Sequence, residues 1–163
     1  MTITPNAVPA FTPESVDLLL SSLGIQDAAS QVAVQAGYDV LAQFMSTFNS
    51  RDASSWAQTL NFPHVRLTAG QVQLWQTATD YAATNNLEDF AATGWAYTRW
   101  DWIKPIQAGP DKAHFALQFT RYNAAHQPIS SYQALYVVTL QDGHWGVQSR
   151  SSYAGIAING AAF

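Results

Sequence analysis

Two hydrophobic spacings divide this chain, a helical one in its first half and a two-residue alternation in its second. Across residues 29–48, apolar side chains return every three or four positions, which predicts one long amphipathic helix. Asp52 is placed to cap a shorter helix that carries Trp56 and Leu60. A third helix is predicted at roughly residues 77–92, although two consecutive asparagines weaken its middle.

Alternating segments bounded by turn residues account for most of the rest. Residues 65–75 alternate around an Ala-Gly pair, so they predict a β-hairpin. Four further strands are expected at residues 95–106, 112–122, 129–140 and 145–153, separated by turn-forming residues. Consecutive strands joined by short turns pair antiparallel. Helices followed by such a sheet predict an α+β fold with the helices packed on one sheet face.

The N-terminal segment, residues 1–28, is expected to be an arm that carries one short helix. Thr12 can cap this helix, and Gly24 favours its end. The main domain is then predicted at residues 29–155, followed by a C-terminal tail at residues 156–163.

The composition fits one compact domain of 163 residues. Hydrophobic residues make up 48% and aromatic residues 13%, enough to build a core. The net charge is -4 and the seven Lys and Arg residues are scattered, which disfavours nucleic acid and anionic membranes as partners. The chain has no Cys, which excludes thiol chemistry and suits a reducing compartment.

The sequence lacks patterns for targeting, metals and cofactors. It shows no signal-peptide pattern and no apolar run of roughly 20 residues, so we expect a cytoplasmic protein without a membrane span. The four His residues lie far apart, and neither a serine-hydrolase elbow nor a phosphate-binding glycine loop occurs, so we expect no metal and no cofactor. Few charges beside many aromatic residues predict an apolar surface patch, and with it a homodimer.

The strand that begins near Phe62 carries the side chains that point most clearly to a pocket. His64 and Arg66 share one parity there. His64 can act as a general base, because its ordinary pKa of about 6.5 is near neutral pH; alternatively, it is a structural histidine that donates to a backbone carbonyl. Arg66 can bind a ligand carboxylate or stabilise an enolate-like charge; alternatively, it is a surface arginine stacked on a Trp ring.

The last strand and the long helix supply further candidates. Arg150 shares its predicted strand face with Gln148 and Ser152, and Trp145, Val147 and Ser149 are predicted to lie on the opposite face. A cavity that holds both Arg66 and Arg150 would favour an anionic or carbonyl ligand. Tyr38 can donate its hydroxyl into the cavity, or it can be an ordinary core residue.

Further strand positions complete the set of candidates. Arg121 alternates with apolar residues and is expected to cap the core at a strand end, a structural role. Asp101 alternates with Trp100 and Trp102, so the two Trp rings are predicted to share one face. Asp101 would then point outward and pair with Arg99 or a neighbouring strand. The aromatic residues expected to line the cavity or a dimer contact are Phe62, Trp75, Trp95, Trp100, Trp102, Tyr132 and Tyr136.

With its elements in this order, the chain resembles the nuclear transport factor 2-like superfamily and, within it, the SnoaL-like group. The resemblance includes the closing hairpin, Asp-Gly-His-Trp-Gly-Val at residues 142–147, which fits the turn-Trp-x-aliphatic opening of the last strand. It implies a cone-shaped α+β fold, in which three main helices cover the concave face of a curved antiparallel sheet and leave an apolar pocket. It also implies frequent homodimers through the outer sheet face.

The resemblance does not imply one function. Members that isomerise ketosteroids or cyclise polyketides use a pocket carboxylate on the strand after the second helix, where this chain has His64, Val65 and Arg66. We therefore expect a small-molecule-binding SnoaL-like domain, with a pocket for a largely apolar ligand that bears a carbonyl or carboxylate. One alternative is an isomerase, lyase or cyclase in which His64 is the acid/base and Arg66 stabilises charge. The other is a non-catalytic dimerisation or interaction module.

Overall fold

The computed structural model describes residue 24 and residues 27–154, so the helix expected near Thr12 and the C-terminal tail lie outside the described residues. Four helices and six strands follow one another in the described part of the chain. They are α1 (Ala28–Asn49), α2 (Ala53–Ala57), β1 (Leu60–Thr68), β2 (Gln71–Trp75), α3 (Ala78–Thr84), α4 (Leu87–Ala91), β3 (Tyr97–Gly109), β4 (Lys112–Tyr122), β5 (Pro128–Gln141) and β6 (His144–Ser152).

Helix α1 forms the cover of the sheet. Asp27 caps its N-terminus by accepting a hydrogen bond from the Ser30 backbone N–H at 2.8 Å. Its apolar stripe packs against β3, β4 and β6. Gly37 lies directly over the Phe115 ring, where any side chain would overlap the ring, so this position requires the small residue. None of the helices in the described range is both long and apolar enough to cross a membrane.

The two later helical predictions need correction. Asp52 caps α2 as expected, but α2 ends at Ala57, and Leu60 begins β1 instead of completing the helix. The predicted third helix is two short helices, α3 and α4. Asn86 separates them, because its side chain accepts from the backbone N–H groups of Glu88 and Asp89 and so starts a new helix.

The six strands form one curved sheet in the order β2-β1-β6-β5-β4-β3. The predicted β1–β2 hairpin is present, and both Ala69 and Gly70 have positive φ (48° and 75°), as a two-residue turn of this kind requires. Four strand pairs are antiparallel, whereas β1 and β6 pair in parallel, which short-turn reasoning does not predict. The α+β fold class is confirmed.

A β-bulge in β3 changes which side chains face inward. The register shifts between Trp100 and Trp102, so Asp101 and Trp102 both turn away from the core while Trp100 and Ile103 are buried. The prediction that the two Trp rings share one face is therefore wrong. Asp101 does point outward, and it accepts hydrogen bonds from the neighbouring strand β4, not from Arg99.

A second bulge affects β6. The β5–β6 register shifts between Val137 and Val138, so Val147 and Arg150 are both buried although they are three positions apart along the strand. The predicted face opposition of these two residues is therefore also wrong. The bulge is what brings Arg150 inside together with the core valine.

The outer face of the sheet carries a row of side chains that crosses four strands and is apolar on β2, β1 and β5, with a serine on β6. Val72 pairs with Leu67, Leu67 pairs with Ser151, and Ser151 pairs with Leu135. Val72 is 69% exposed and Leu135 is 49% exposed. This outer apolar row, together with the nearby Leu74, faces away from every helix that packs on the inner face.

Candidate functional site

A pocket lies between α1 and the inner face of the sheet. Its wall combines aromatic rings from the helix and sheet with three guanidinium groups from β1, β4 and β6. The lining residues are Phe44, Met45, Phe48, Trp56, Arg66, Thr98, Trp100, Phe119, Arg121, Tyr136, Arg150 and Ser152.

The pocket is narrow in this conformation. Its empty space, counted out to the mouth, is about 430 Å³, but the centre of a water molecule can reach only about 30 Å³ of it. A single water needs roughly 10–15 Å³ of such space, so the enclosed part holds about two waters. The larger volume includes open solvent at the mouth, so the enclosed cavity is described by the smaller one. An organic ligand would occupy the mouth as well and displace some lining side chains.

His64 is fully buried and both of its ring nitrogens are engaged. Nδ1 donates to the Val147 carbonyl at 2.9 Å, and Nε2 accepts from Nε of Arg150 at 3.1 Å. Burial, followed by the positive charge of Arg150, lowers the pKa of His64 to about 2, so the ring is neutral. This geometry is that of the structural alternative and does not support His64 as a general base, because no ring nitrogen is available to a substrate.

Arg150 lies at the centre of a buried polar group. Besides its contact with His64, it donates from an Nη atom to the Tyr81 hydroxyl at 2.6 Å. Its guanidinium carbon lies 5.4 Å from the Phe44 ring centre and 5.8 Å from that of Tyr136. Burial opposes the charge, but electrostatic attraction to Tyr81 and Tyr136 and the hydrogen bonds that Arg150 donates to them outweigh it and raise the pKa of Arg150. The side chain is a buried cation held by neutral groups.

Arg66 lies beside Arg150, because the two residues are register partners on the parallel strands β1 and β6. One Nη of Arg66 donates to the side-chain oxygen of Gln73, and the guanidinium carbon lies 5.0 Å from the Trp75 ring centre. Burial and the charge of Arg150 lower the pKa of Arg66 to about 9, which still leaves it charged at neutral pH. The predicted stacking on Trp is present, but the side chain is only 2% exposed and belongs to the pocket wall.

Arg121 supplies the third guanidinium. It packs among aromatic rings, 4.9 Å from the ring centre of Phe90 and 5.0 Å from that of Tyr132. Burial lowers the pKa of Arg121 to about 10, so it also remains charged. Sequence reasoning assigned Arg121 a structural role only. Its position on an inward strand face, in alternation with Phe115, Leu117 and Phe119, was the signal that it lies inside.

The aromatic candidates divide into pocket and core residues. Trp100 lines the pocket. Tyr38 is a core residue whose hydroxyl donates to the Ile103 carbonyl at 3.4 Å, and burial raises its pKa. Trp75 packs beneath Arg66 and donates from Nε1 to Thr84. The remaining predicted residues lie beside the pocket wall or away from it: Phe62 contacts His64, Tyr132 contacts Arg121, and Trp102 lies on the other sheet face near Lys104.

Sequence reasoning missed one contact that matters here. Nothing in the local pattern of α3 indicates that the Tyr81 hydroxyl meets Arg150, 69 positions later in the chain. Tyr136, one of the aromatic residues predicted to line the cavity or a dimer contact, lines the pocket, but its pairing with Arg150 across β5 and β6 was not predicted. Both contacts depend on tertiary pairing, which a local periodicity does not encode.

Solved structures similar to this one share its architecture. A nuclear transport factor 2-like protein with a cystatin-like fold from Novosphingobium aromaticivorans superposes with a TM-score of 0.60 and 10% identity, over 92% of this chain and 94% of its own. The chain has the nuclear transport factor 2-like fold. No family model matches the sequence, and no curated protein is similar to it.

Other relatives of this nuclear transport factor 2-like fold differ in what is known of them. A protein of unknown function from Pseudomonas putida superposes with a TM-score of 0.61 and 16% identity, over 77% of this chain and 88% of its own. A candidate ketosteroid isomerase from Shewanella frigidimarina gives 0.57 and 19%, over 72% of this chain and 94% of its own. Such identities establish a shared fold and carry no activity.

The pocket in this nuclear transport factor 2-like fold carries charged side chains of one sign only. Its lining includes three arginines and no Asp, Glu or His among the described residues. Guanidinium groups are permanent donors and cannot accept a proton from a substrate at neutral pH. Within the described range, no three His, Asp or Glu side chains cluster as they would to hold a metal ion. The wall is therefore suited to binding negative charge, and it lacks a group placed to abstract a proton.

Proposed function

We propose that this domain binds a small, largely apolar molecule through a carboxylate or an equivalent anionic oxygen. The observation that carries the proposal is the convergence of buried arginines on an otherwise aromatic pocket wall. Arg66 and Arg150 stand side by side on β1 and β6, and aromatic rings surround them. A planar guanidinium fork matches a carboxylate, and the rings favour an apolar body.

The uncompensated charge of Arg150 supports an anionic ligand. Its side-chain partners, His64, Tyr81 and Tyr136, are neutral groups. A buried charge that lacks an opposite charge costs free energy, and an anion bound at the wall would recover part of that cost. Charged hydrogen bonds in such a low-dielectric site are also stronger than neutral ones.

The catalytic alternative has less support than binding does. An isomerase, lyase or cyclase of the predicted type needs His64 as its acid/base. Both nitrogens of His64, however, are hydrogen-bonded to other residues. The pocket wall could stabilise a negative charge that develops on an oxygen. It offers no base to generate that charge.

A pair of ligands that differ only in charge tests the proposal. Calorimetric titration with benzoate and with benzyl alcohol measures the contribution of the carboxylate to one aromatic body. We expect benzoate to bind at least about tenfold more tightly, which corresponds to about 1.4 kcal/mol. Arg66→Gln should reduce the affinity for benzoate. Arg99→Gln is the matched control, since Arg99 is a half-buried strand arginine outside the pocket lining.

Equal affinities for the charged and the neutral compound would refute the anionic site. Loss of benzoate binding in the Arg99→Gln control would point to a general charge effect instead of a pocket effect. Circular dichroism of each variant ensures that affinities are compared between folded proteins.

We further propose that two copies of the chain associate through the outer sheet face. The outer apolar row supports this, because Val72, Leu67 and Leu135 expose large apolar surfaces along one line across the sheet, in which only the β6 member, Ser151, is polar. Large exposed apolar patches mark interaction surfaces. A second copy would present the same row in a symmetric contact.

Sedimentation velocity at several protein concentrations tests this association. Val72→Lys should weaken self-association by about tenfold or more, because it places a charge in the interface. Val32→Lys is the matched control, since Val32 is 62% exposed but lies on α1. A wild-type protein that stays monomeric at micromolar concentration would refute the proposed dimer.

A further inference from the structure

We propose that the ligand of this pocket is a dianion with two carboxylates at opposite ends of a flat apolar body. This inference rests on the proposed binding function and adds the number and placement of the ligand's charges. It follows from the distribution of the three arginines, which occupy two ends of the pocket.

The two ends contact different sets of aromatic rings. Arg150 is packed against rings of α1, α2, α3 and β5, with Phe44 the nearest at 5.4 Å. Arg121 is packed against rings of α4, β4 and β5, with Phe90 the nearest at 4.9 Å. Arg66, as the register partner of Arg150, adds its charge to the first end.

The sheet register separates the two ends. On β5, Tyr136 pairs with Arg150 and Ser130 pairs with Arg121. These two β5 positions are roughly 20 Å apart along an extended strand, at about 3.3 Å per residue. Both arginines nevertheless line the same pocket. Their long side chains therefore reach into it from different directions, since a curved sheet brings distant strand positions toward a common centre.

Between the two ends the pocket wall is aromatic. The ring centres of Tyr136 and Trp100 are 5.8 Å apart, and those of Trp100 and Phe119 are 6.1 Å apart. This series of rings leads from the partner of Arg150 to a ring that Arg121 contacts at 5.7 Å. A flat apolar body laid along it would place one end near Arg150 and the other near Arg121.

A second carboxylate is the chemical feature that would use both ends. A ligand with one carboxylate gains charge-assisted hydrogen bonds at one end only. A ligand with a carboxylate at each end gains them twice without ordering a second molecule. A terminal phosphate or sulfonate would satisfy the same donors, so the shared requirement is two separated anionic groups.

Aromatic acids of matched body provide the test. Titration calorimetry compares benzoate with terephthalate, and biphenyl carboxylate with biphenyl dicarboxylate for a longer separation of charges. We expect the dicarboxylate of at least one pair to bind about tenfold or more tightly than its monocarboxylate. Arg121→Met keeps an unbranched stem among the rings and should abolish this ratio while the monocarboxylate affinity stays within about twofold.

Several outcomes would overturn the inference. Equal affinities within both pairs would show that one anionic site suffices, and a ratio that persists in Arg121→Met would exclude Arg121 as the second end. Arg121→Lys serves if Arg121→Met does not fold, because it keeps the charge but loses the fork and should give an intermediate ratio. Absence of binding by all four acids would refute the proposed binding function itself. Arg99→Gln should leave every affinity unchanged.

Discussion

The two faces of the sheet differ in the side chains that they bury and expose. Arg66 is 2% exposed on the inner face, whereas the next residue, Leu67, is 46% exposed on the outer face. The same strand thus buries a cation and exposes an aliphatic side chain. Both arrangements cost free energy in an isolated chain. These opposite features are the basis of the two proposals made above, an anion bound on the inner face and a second copy of the chain on the outer face.

The inner face tolerates its charges because neutral acceptors hold them. His64 and Tyr81 fix the Arg150 guanidinium without neutralising it, whereas a carboxylate at either position would form an ion pair. The hydrogen bonds of Arg150 stabilise one arrangement of these buried groups, since loss of a partner would leave a buried donor unsatisfied. The outer face has no such constraint. Substitutions should therefore have unequal effects on the two faces.

The largest effect is expected from His64→Ala. This change leaves Nε of Arg150 and the Val147 carbonyl without their hydrogen-bond partner and creates a cavity beside them. We expect the free energy of unfolding, measured with urea, to fall by roughly 3 kcal/mol or more. Leu67→Ala on the outer face should cost less than about 1 kcal/mol at a low protein concentration. Similar losses in the free energy of unfolding for the two variants would contradict the expected difference between the inner and outer faces.

The pH dependence of stability gives a second, smaller effect. The pKa of His64 is lowered to about 2 in the folded state, against about 6.5 when unfolded, so the unfolded state binds the proton first. The contribution of neutral His64 to the free energy of unfolding is complete above about pH 6.5. It is lost as pH falls, by about 1.4 kcal/mol for each pH unit. Burial and Lys112 also lower the pKa of His114, with the same sign.

Comparison with His64→Gln isolates the contribution of His64. Urea unfolding of both proteins between pH 5 and pH 8 should show a steeper loss of stability at low pH in the wild type. Parallel curves for the two proteins would mean that His64 titrates normally and is not held neutral by burial and the charge of Arg150.

A matched pair of variants separates the position of Arg150 from its charge. His64→Gln provides a neutral acceptor in place of Nε2, and His64→Glu provides an anionic one of nearly equal shape. We expect His64→Gln to retain benzoate affinity within a few-fold, and His64→Glu to lower it by about tenfold, because the carboxylate occupies Arg150 as an internal anion. Equal affinity of the two variants would contradict the inference that a neutral residue at position 64 leaves the charge of Arg150 available to the ligand.

Much of the fold was predictable because it depends on local pattern. The long helix α1, the β1–β2 hairpin and the strand β4 follow directly from apolar spacing and turn residues. The predictions failed where one residue interrupts the pattern. Asn86 starts a second helix inside the expected third one, and the bulge in β3 sends Trp102 to the other side. A bulge inserts one residue into a ladder, and alternation alone does not reveal its position.

The site was predictable only in part. Arg66 and Arg150 were each candidates for the cavity, and a cavity that holds both was expected to favour an anionic or carbonyl ligand; the structure places them side by side. His64 was recognised too, but its lack of a free nitrogen depends on Val147 and Arg150, more than 80 residues away in sequence. The pocket side of Arg121 likewise required the curvature of the whole sheet. Roles set by long-range partners were therefore beyond the reach of local pattern.

The place of β6 in the sheet has a consequence for how the domain folds. It is the last strand along the described chain, yet it lies between β1 and β5 and holds together two groups of strands made earlier. Pairings between such distant segments slow folding, because a long loop must close before they form. During synthesis, the strands β1 to β5 would therefore be made before β6 is present to join them. Arg66 and Arg150 would come together only when β6 pairs with β1.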